Sequence, residues 1–338
     1  MSREQPTVSV VIGAYNAADT IERALTSVYA QSYPGPVEVI VVDDGSTDST
    51  HHVVRSRFPH AEYIYQENAG HGPAKNRGIE AAIGEYVAFL DADDEWLDAK
   101  LERQVSVLAR APGAALVTCH HRMVQEGSAI AKAAPERRDG GVVEGEFRDW
   151  LLRVPHVFNG VYPSGWVVRR AVFDTVGLLV LSETDDFEFL LRLTGYGYTV
   201  LVMREPLYHY YLSSGQITSR PERKAKGIEQ VMEYVRQCHP TEGAPWSRGI
   251  LSPEEYAHAF RAMVRRFLPV MCAYGSWDLA DQLVGEAAAL PPAGLYPAKA
   301  CLLRSLLAVA RTAFSRGPGR SLLRIGLRVR QKIRIKSL

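Results

Sequence analysis

Glu-Tyr-Val-Ala-Phe-Leu-Asp-Ala-Asp-Asp, at residues 85–94, joins a short apolar run to three carboxylates. Residues 86–90 predict a buried strand, and the carboxylates follow directly at its end. Negative charge at such a position is costly unless a positive group neutralises it. A hard divalent cation with oxygen ligands, shared with a substrate phosphate, would do so. The alternative is an acidic turn that caps a helix starting near Trp96.

Apolar runs of strand length alternate with helical patterns through the first part of the chain. Such repeated β-α units, with nearly continuous apolar strands, predict an α/β fold with a mostly parallel sheet flanked by helices. The predicted strands are residues 7–12, 37–42, 61–65, 86–90 and 114–118, and the predicted helices are residues 18–30, 48–55, 72–83 and 97–110.

The remainder of the chain is less regular. Residues 122–145 contain Gly, Pro and mixed charge, which indicates a loop or a weakly structured insertion. A helix is predicted to begin near Asp185, and the pattern is helical from about residue 224. The strand-like segments in between are residues 166–168, 198–202 and 207–212. We therefore expect an α/β domain over residues 1–220 and a helical C-terminal extension over residues 221–338.

The composition is typical of a soluble protein. The 338 residues are 46% apolar and include 39 basic and 38 acidic side chains. The four cysteines lack metal-ligand spacing and indicate reduced thiols. The N-terminus is polar, and no run approaches the roughly 20 apolar residues that a membrane span needs. We expect a cytoplasmic protein, with peripheral attachment to the inner face of the membrane left open.

Basic residues are concentrated at the C-terminus, where eleven Lys and Arg and no acidic residue follow Glu286. Residues 320–336 combine an apolar helical stripe with basic flanks, which favours contact with an anionic membrane surface. Part of this segment alternates as a strand would, and a solvated tail that binds the acidic catalytic domain or an acidic partner is the competing interpretation. Few aromatic residues lie among the charges, so no nucleic acid is expected.

Three polar clusters follow predicted strands, at residues 13–16, 43–46 and 91–93. Ligands of open parallel sheets bind beyond the carboxyl ends of the strands, so the clusters should share one edge. The first cluster is not a Gly-x-Gly-x-x-Gly loop, and the sequence has no Gly-Lys-Ser/Thr loop. These differences disfavour a nicotinamide-binding domain and a P-loop nucleotidase.

The residue types in the clusters instead suit a nucleotide with a diphosphate. Asp44 can accept a hydrogen bond from a base, and Tyr15 can stack on that base. Asp91 and Asp93 can hold a cation that bridges two phosphates. For Asp44 the alternative is a turn or helix-cap residue, because Asp-Gly-Ser-Thr is also good turn chemistry.

Four strings in these regions resemble glycosyltransferase family 2, whose fold is called GT-A. They are Val-Ser-Val-Val-Ile-Gly-Ala-Tyr-Asn at 8–16, Val-Ile-Val-Val-Asp-Asp-Gly-Ser-Thr-Asp at 39–48, Gly-Pro-Ala-Lys-Asn-Arg-Gly-Ile at 72–79 and Gly-Glu-Tyr-Val-Ala-Phe-Leu-Asp-Ala-Asp-Asp at 84–94. Their order and spacing are those of the family. The resemblance implies a Rossmann-like GT-A domain that transfers a sugar from a nucleotide diphosphate to an acceptor hydroxyl, with inversion at the anomeric carbon.

The resemblance also assigns ligand-binding residues. It implies that Asp44 contacts the donor base, most often that of uridine and otherwise that of thymidine or guanosine, and that Tyr15 packs against this base beside Ala14. Asp93 corresponds to a ligand of Mn²⁺ or Mg²⁺, with Asp91 assisting through the sugar, the ribose or metal-bound water.

The third motif departs from the family, because the usual Ala-Arg-Asn is Ala-Lys-Asn here, with Lys75 at the donor. Lysine keeps the charge but loses the bidentate fork of arginine.

A later acidic segment, at residues 183–192, supplies the expected catalytic base. Aligned from Arg192, it resembles the family's Glu-Asp with an Arg six residues on, which puts the base at Asp186 and Asp185 in the Glu position. In-line displacement needs a carboxylate near the acceptor hydroxyl. The alternative is an acidic first turn that complements the helix dipole.

Further candidates are less specific. His209 lies where related enzymes close a loop over the diphosphate, so it could reach phosphate or metal, although a partly buried strand histidine is an equal alternative. His71 is a loop candidate near the donor. The pair at 120–121 indicates structural histidines. Trp166 could stack on an acceptor sugar, although a tryptophan in an apolar strand more often lies in the core.

The sequence therefore predicts a metal-dependent, non-processive transferase with a nucleotide-sugar donor and a glycan or lipid-linked acceptor. Non-processive transfer follows from the lack of membrane helices and of a Gln-x-x-Arg-Trp motif. Two alternatives remain open: a catalytically silent sugar-nucleotide or glycan-binding module, and a sugar nucleotidyltransferase. The second is disfavoured by the lack of a Gly-rich N-terminal triphosphate loop.

Overall fold

The structure is a computed structural model that describes residues 5–125, 132–133, 142–145, 162–180, 184–212, 221–238, 242–243, 251–273, 276–290 and 307. The chain divides into two compact units. The first comprises residues 1–150 and 156–216, and the second comprises residues 151–155 and 217–338. The assignment of catalysis to 1–220 and of an extension to 221–338 remains a prediction.

The first unit alternates strands and helices in its N-terminal part. Its strands are β1 (Val8–Ala14), β2 (Val37–Asp44), β3 (Glu62–Gln66), β4 (Tyr86–Phe89), β5 (Glu95–Trp96), β6 (Ala114–Gln125), β7 (Lys132–Ala133), β8 (Val142–Gly145), β9 (Val167–Arg169) and β10 (Thr199–Leu212). Its helices are α1 (Ile21–Tyr29), α2 (Thr50–Arg57), α3 (His71–Ala81), α4 (Lys100–Arg110), α5 (Ala171–Val176) and α6 (Asp185–Gly195), with a 3₁₀ turn at Pro163–Gly165.

The strands form one sheet in the order β3-β2-β1-β4-β9-β6-β10-β5, with β7 paired to β6 and β8 paired to β10. The first four strands of this order are mutually parallel. The β9 strand then runs antiparallel to both of its neighbours. The predicted α/β sheet is confirmed, with parallel pairing in its first half and mixed pairing in its second. The carboxyl ends of β1, β2 and β4 consequently lie at one edge.

The central residues of β1 and β2 are apolar because helices cover the sheet on both faces. Val10, Val11 and Ile12 of β1 are all buried, as are Val41 and Val42 of β2. Period-2 alternation, which marks a half-exposed strand, is therefore absent from β1 and β2. Continuous burial explains why these strands were predictable from short apolar runs.

Helix α3 packs unusually close to β1. A Cβ added at Gly78 of this helix would overlap the Cγ1 atom of Val11. The absence of a side chain at Gly78 therefore lets α3 approach the sheet and brings its N-terminus to the edge where β1, β2 and β4 end.

Three sequence-based predictions were wrong in detail. Residues 122–145 are not simply a loop, because β6 continues to Gln125 and the described parts of the segment pair as β7 and β8. The two strand-like segments at 198–202 and 207–212 are one strand, whose register shifts around Pro206, a residue without a backbone donor. No helix begins near Trp96, which lies in β5, and the next helix starts at Lys100.

The second unit contains α7 (Pro221–Gln237), α8 (Pro253–Ala273) and α9 (Trp277–Ala289). The guanidinium of Arg236 on α7 donates to both carboxylate oxygens of Glu286 on α9, each at 3.0 Å. In the part of the chain that the structure describes, no helix is long and apolar enough to cross a membrane. The basic segment 320–336 lies outside the described residues.

Replacing Gly78 with alanine should lower the free energy of unfolding of the first unit. Overpacking typically lowers the free energy of unfolding by about 1–3 kcal/mol. The higher helix propensity of alanine offsets up to about 1 kcal/mol of this loss. Val11 is β-branched and has little freedom to move away. Urea denaturation would measure the loss.

Gly113→Ala is the matched control, since no atom lies within 4 Å of a Cβ placed there. Equal unfolding midpoints for Gly78→Ala, Gly113→Ala and the wild type would contradict the close packing of α3 on β1.

Candidate active site

Asp44 ends β2 and holds the loop between β3 and α3. Its Oδ1 accepts from Gln66 Nε2 at 2.7 Å and from the backbone N–H of Ala69 at 2.8 Å. Its Oδ2 accepts from the N–H of Gly70 at 2.8 Å. A carboxylate offers about four lone-pair sites. Three donors from the described residues therefore leave room for one N–H of a ligand.

Beside Asp44, the loop after β1 is tied to the loop after β2. Asn16 has a left-handed φ of 48°, and its Oδ1 accepts the N–H of Thr47 at 2.8 Å. Its own N–H donates to Ser46 Oγ at 2.9 Å. Ala14 is buried at the end of β1, whereas Tyr15 is 54% exposed. The ties fix the backbone directly after an exposed aromatic ring, which is therefore available for stacking on a base.

Lys75 of α3 is the positive group of the site. It is 6% exposed, and its Nζ lies 3.2 Å from Oδ1 of Asp91, which follows β4. Burial alone would lower the pKa of Lys75, but the charges of Asp91, Asp185 and Asp186 hold that pKa above its usual value. One ammonium is therefore shared by the acidic loop after β4 and the acidic start of α6.

Asp94 has a different role from the two acids before it. It is fully buried, and its Oδ2 accepts from Ser164 Oγ at 2.6 Å while its Oδ1 accepts the N–H of Tyr211 at 3.2 Å. Burial and the charges of Asp91 and Asp93 raise the pKa of Asp94 well above its usual value. Asp94 thus fixes the loop from inside, and Asp91 and Asp93 remain partly exposed.

The acidic loop suits a cation that arrives with a substrate. Among the described residues, no group of three or more His, Cys, Asp or Glu side chains forms a complete metal site. Mg²⁺ is commonly held by one or two carboxylates together with substrate phosphates. The two carboxylates Asp91 and Asp93 fit that mode. Burial, together with the charges of Asp91 and Asp93, raises the pKa of Asp94 beside them.

Helix α6 begins with two carboxylates in different electrostatic states. Asp185 is buried, its Oδ1 lies 3.4 Å from Nε2 of His71, and the same oxygen accepts the N–H of Asp186 at 2.9 Å. Burial would raise the pKa of Asp185, but the bond to His71 and the charge of Lys75 lower it. Burial and the charge of Asp185 raise the pKa of Asp186 to about 6. A carboxyl group of this kind is suited to accept a proton near neutral pH.

Arg192, from which the acidic motif was aligned, lies on α6 and holds the backbone before that helix. Its guanidinium donates to both oxygens of Glu188, at 2.7 and 2.9 Å. It also donates to the carbonyls of Val176 and, at 2.8 Å, Leu178. These bonds tie α6 to the backbone at the end of α5.

His209 lies on β10 beside the acidic loop. Its Nδ1 is 3.1 Å from Oε2 of Glu95, the same oxygen that accepts from Tyr211 Oη at 2.7 Å. The Tyr211 ring lies under Arg23, whose Cζ is 3.6 Å from the ring centroid. Arg23 in turn donates to the carbonyl of Asp93 at 2.7 Å. His209 is thus held by a residue next to the acidic loop, and Nε2 is the ring nitrogen that remains for a phosphate or a metal.

Two other candidates belong to the interior. Trp166 is fully buried against Phe89 and Phe189, so the idea that it stacks on an acceptor sugar is wrong. His121 is packed against Tyr208, and burial lowers its pKa to about 4, in keeping with a structural histidine.

The predicted residues are linked through α3. Asp44 binds the loop that ends at Gly70, His71 follows at the start of the helix, and Lys75 comes one turn later. The sequence suggested His71 only as a loop candidate and gave no separate role to Asp94. The sequence signal for His71 was its place at the first position of a predicted helix, between two glycines. No sequence signal marked Ser164 as the partner of Asp94.

Comparisons with known proteins agree with the motifs. The sequence profile described as "Glycosyl transferase family 2" matches residues 9–177. A "Putative teichuronic acid biosynthesis glycosyltransferase TuaG" of Bacillus subtilis (strain 168) is 31% identical over 245 residues, which cover 71% of this chain and 92% of that protein.

Solved structures agree with the fold. The S. aureus TarS 1-349 crystal structure in complex with UDP-GlcNAc has a TM-score of 0.61 and 18% identity, and the match covers 96% of this chain and 92% of that one. The mannosyltransferase PcManGT from Pyrobaculum calidifontis, in complex with GDP-Man and Mn²⁺, has a TM-score of 0.56 and 21% identity, with coverage of 92% and 87%. The expected GT-A fold is confirmed. On the profile and the B. subtilis relative, the chain belongs to glycosyltransferase family 2 and is a glycosyltransferase.

Proposed function

We propose that the protein transfers a sugar from a nucleotide-diphosphate sugar to an acceptor hydroxyl. We propose that the transfer inverts the configuration at the anomeric carbon, depends on a metal ion and is non-processive. The observation that carries this proposal is the arrangement around Lys75. Its ammonium pairs with Asp91 of the acidic loop and is also within electrostatic reach of Asp185 and Asp186. This supports a donor site and a proton acceptor that act on one substrate.

Asp186 is the proposed general base. It would take the proton from the acceptor hydroxyl as that oxygen attacks the anomeric carbon from the face opposite the diphosphate. Such in-line attack inverts the anomeric configuration. The raised pKa of Asp186, about 6, matches it to proton transfer near neutral pH. Asp185, which stays ionised through His71 and Lys75, supports the base without replacing it.

The donor base is proposed to lie between Tyr15 and Asp44. Tyr15 offers an exposed ring, and Asp44 has one lone-pair site left after its three described donors. A single acceptor position suits the one imide N–H of uracil better than guanine, which presents adjacent N–H donors. UDP is therefore the proposed carrier, in agreement with the TarS complex with UDP-GlcNAc.

Asp93 and Asp91 are the proposed metal ligands, and His209 is proposed to reach the metal or a phosphate. A bound Mn²⁺ or Mg²⁺ would offset the negative charge that develops on the departing diphosphate. Lys75, which pairs with Asp91, would add its positive charge to the same part of the site. No general acid is needed at the leaving group. The Mn²⁺ in the PcManGT complex supports this assignment by fold.

A glycan or lipid-linked acceptor, in cell-wall or other polysaccharide synthesis, is proposed from the B. subtilis relative named for teichuronic acid biosynthesis. Peripheral attachment to an anionic membrane surface through residues 320–336 is proposed from sequence, because their basic side chains flank an apolar stripe. Such attachment would bring a cytoplasmic enzyme to a lipid-linked acceptor.

Donor and metal should stabilise the protein together. We expect UDP and UDP-sugars to raise the melting temperature more in the presence of Mn²⁺ than alone, because only the native state binds them. At a hundredfold excess over Kd the gain is about 2.7 kcal/mol. In Asp93→Ala the metal-dependent part should be lost, as measured by differential scanning fluorimetry.

Asp98→Ala is the control for this experiment, since Asp98 is an exposed acid just after the same loop. It should keep the full metal-dependent shift. An unchanged shift in Asp93→Ala would remove Asp93 from the metal site.

Asp186→Asn should reduce kcat by about 10²–10⁴-fold, the range that loss of a general base produces. Donor binding should persist, because the amide keeps the shape of the side chain. Asp174→Asn, an exposed acid on α5, is the control and should be fully active. Turnover by Asp186→Asn at the wild-type rate would exclude it as the base. Donor binding without transfer by the wild type, under all acceptors, would favour the silent binding module.

The pH dependence should report the ionisation of Asp186. The base must be deprotonated, so kcat/KM should rise with pH through about 6 and then level off. Initial rates between pH 5 and 8, with circular dichroism to confirm folding at each pH, would measure this. A flat profile across that range would contradict the assignment of a carboxyl with a raised pKa as the base.

A further inference from the structure

His71 joins the nucleotide loop to the acidic start of α6. It directly follows Gly70, whose N–H is bound by Asp44, and its Nε2 lies 3.4 Å from Oδ1 of Asp185. We propose that His71 is a positioning residue whose contact with Asp185 keeps that carboxylate ionised, so that the transferred proton goes to Asp186. This inference rests on the proposed transferase function and adds a residue to it.

The surroundings of Asp185 explain why it needs this partner. The residue is 3% exposed, and its Oδ2 is buried without a donor among the described residues. An ionised carboxylate in such a place requires nearby positive charge. The charged groups that act on His71 are Asp185 and Asp91, which favour its protonated form, and Lys75, which opposes it. The bond to Asp185 is the largest of these influences, and it raises the pKa of His71.

The pair Asp185–Asp186 would share its proton differently without His71. An ionised Asp185 repels a second negative charge, which makes Asp186 the carboxyl group that binds a proton more readily. If the His71 ring were removed, Asp185 would keep the N–H of Asp186 as a donor but lose its side-chain partner, and it would take up the proton itself at a higher pH. The carboxyl pair as a whole would then ionise at higher pH, because a nearby positive charge lowers carboxyl pKa values by about 1–3 units.

Two variants separate positioning from folding. In His71→Ala we expect a lower maximal kcat in the pH profile. We also expect the rise of kcat/KM with pH, its acid limb, to have its midpoint about one pH unit higher than in the wild type. In His71→Gln the neutral amide can still donate to Asp185, so the plateau should recover in part while the limb stays shifted. The donor KM should change little, because Asp44 is untouched.

His52→Ala, which removes an exposed histidine of α2, is the control and should match the wild type. A lower plateau with an unmoved limb in both His71 variants would overturn the proposal, because a merely structural role would give that result.

A second measurement does not depend on turnover. NMR titration of the histidine rings, with His71 identified by its loss in His71→Gln, should give His71 a pKa above the ordinary histidine value of about 6.5. In Asp185→Asn the pKa of His71 should fall by about one unit or more. Should that variant not fold, the pKa of His71 in the wild type still decides.

An ordinary histidine pKa of about 6.5 for His71 in the wild type would overturn the His71–Asp185 pairing, whatever the activity. Absence of sugar transfer by the wild type would instead overturn the proposed function. The two failures are therefore distinguishable.

Discussion

The candidate site depends on one buried ammonium placed among carboxylates. Lys75 neutralises Asp91 directly and acts at longer range on the two acids that begin α6. Removal of a buried charge from such a group leaves its partners uncompensated, which costs more than the pair itself contributes. Glycosyltransferases of this family usually have an arginine at this position. The planar guanidinium of an arginine can bind one partner through two hydrogen bonds. A lysine is a compact point charge and suits a position between two acidic groups.

The position of that lysine follows from backbone packing. Gly78 allows α3 to lie close against β1, and Asp44 holds the loop from which the helix begins. The side chains of α3 therefore reach the edge where the parallel strands end. The site is assembled by one helix that is fixed at its start by a carboxylate and along its length by the sheet.

The sequence predicted what local patterns encode. Continuous apolar runs located β1, β2 and β4, and the acids at the ends of β2 and β4 were correctly expected there. The pairing of β6 with β10, the burial of Asp94 and the contact between His71 and Asp185 depend on residues far apart in the chain. Asp94 is adjacent to two partly exposed acids in the sequence, yet Ser164 and the backbone of Tyr211 draw it into the interior. No periodicity could reveal that difference.

The bonds of Arg192 affect how mutational data on this enzyme should be read. Arg192 donates to Glu188 and to two carbonyls at and just after the end of α5, so its loss would disturb the packing of α6, which carries the proposed base Asp186, without removing a proposed reacting group. An alanine scan that measured only product yield would wrongly assign a catalytic role to Arg192. Purified amount, proteolytic resistance and specific activity, compared for each variant, would show whether the missing product reflects a misassembled helix start or a disabled reaction centre.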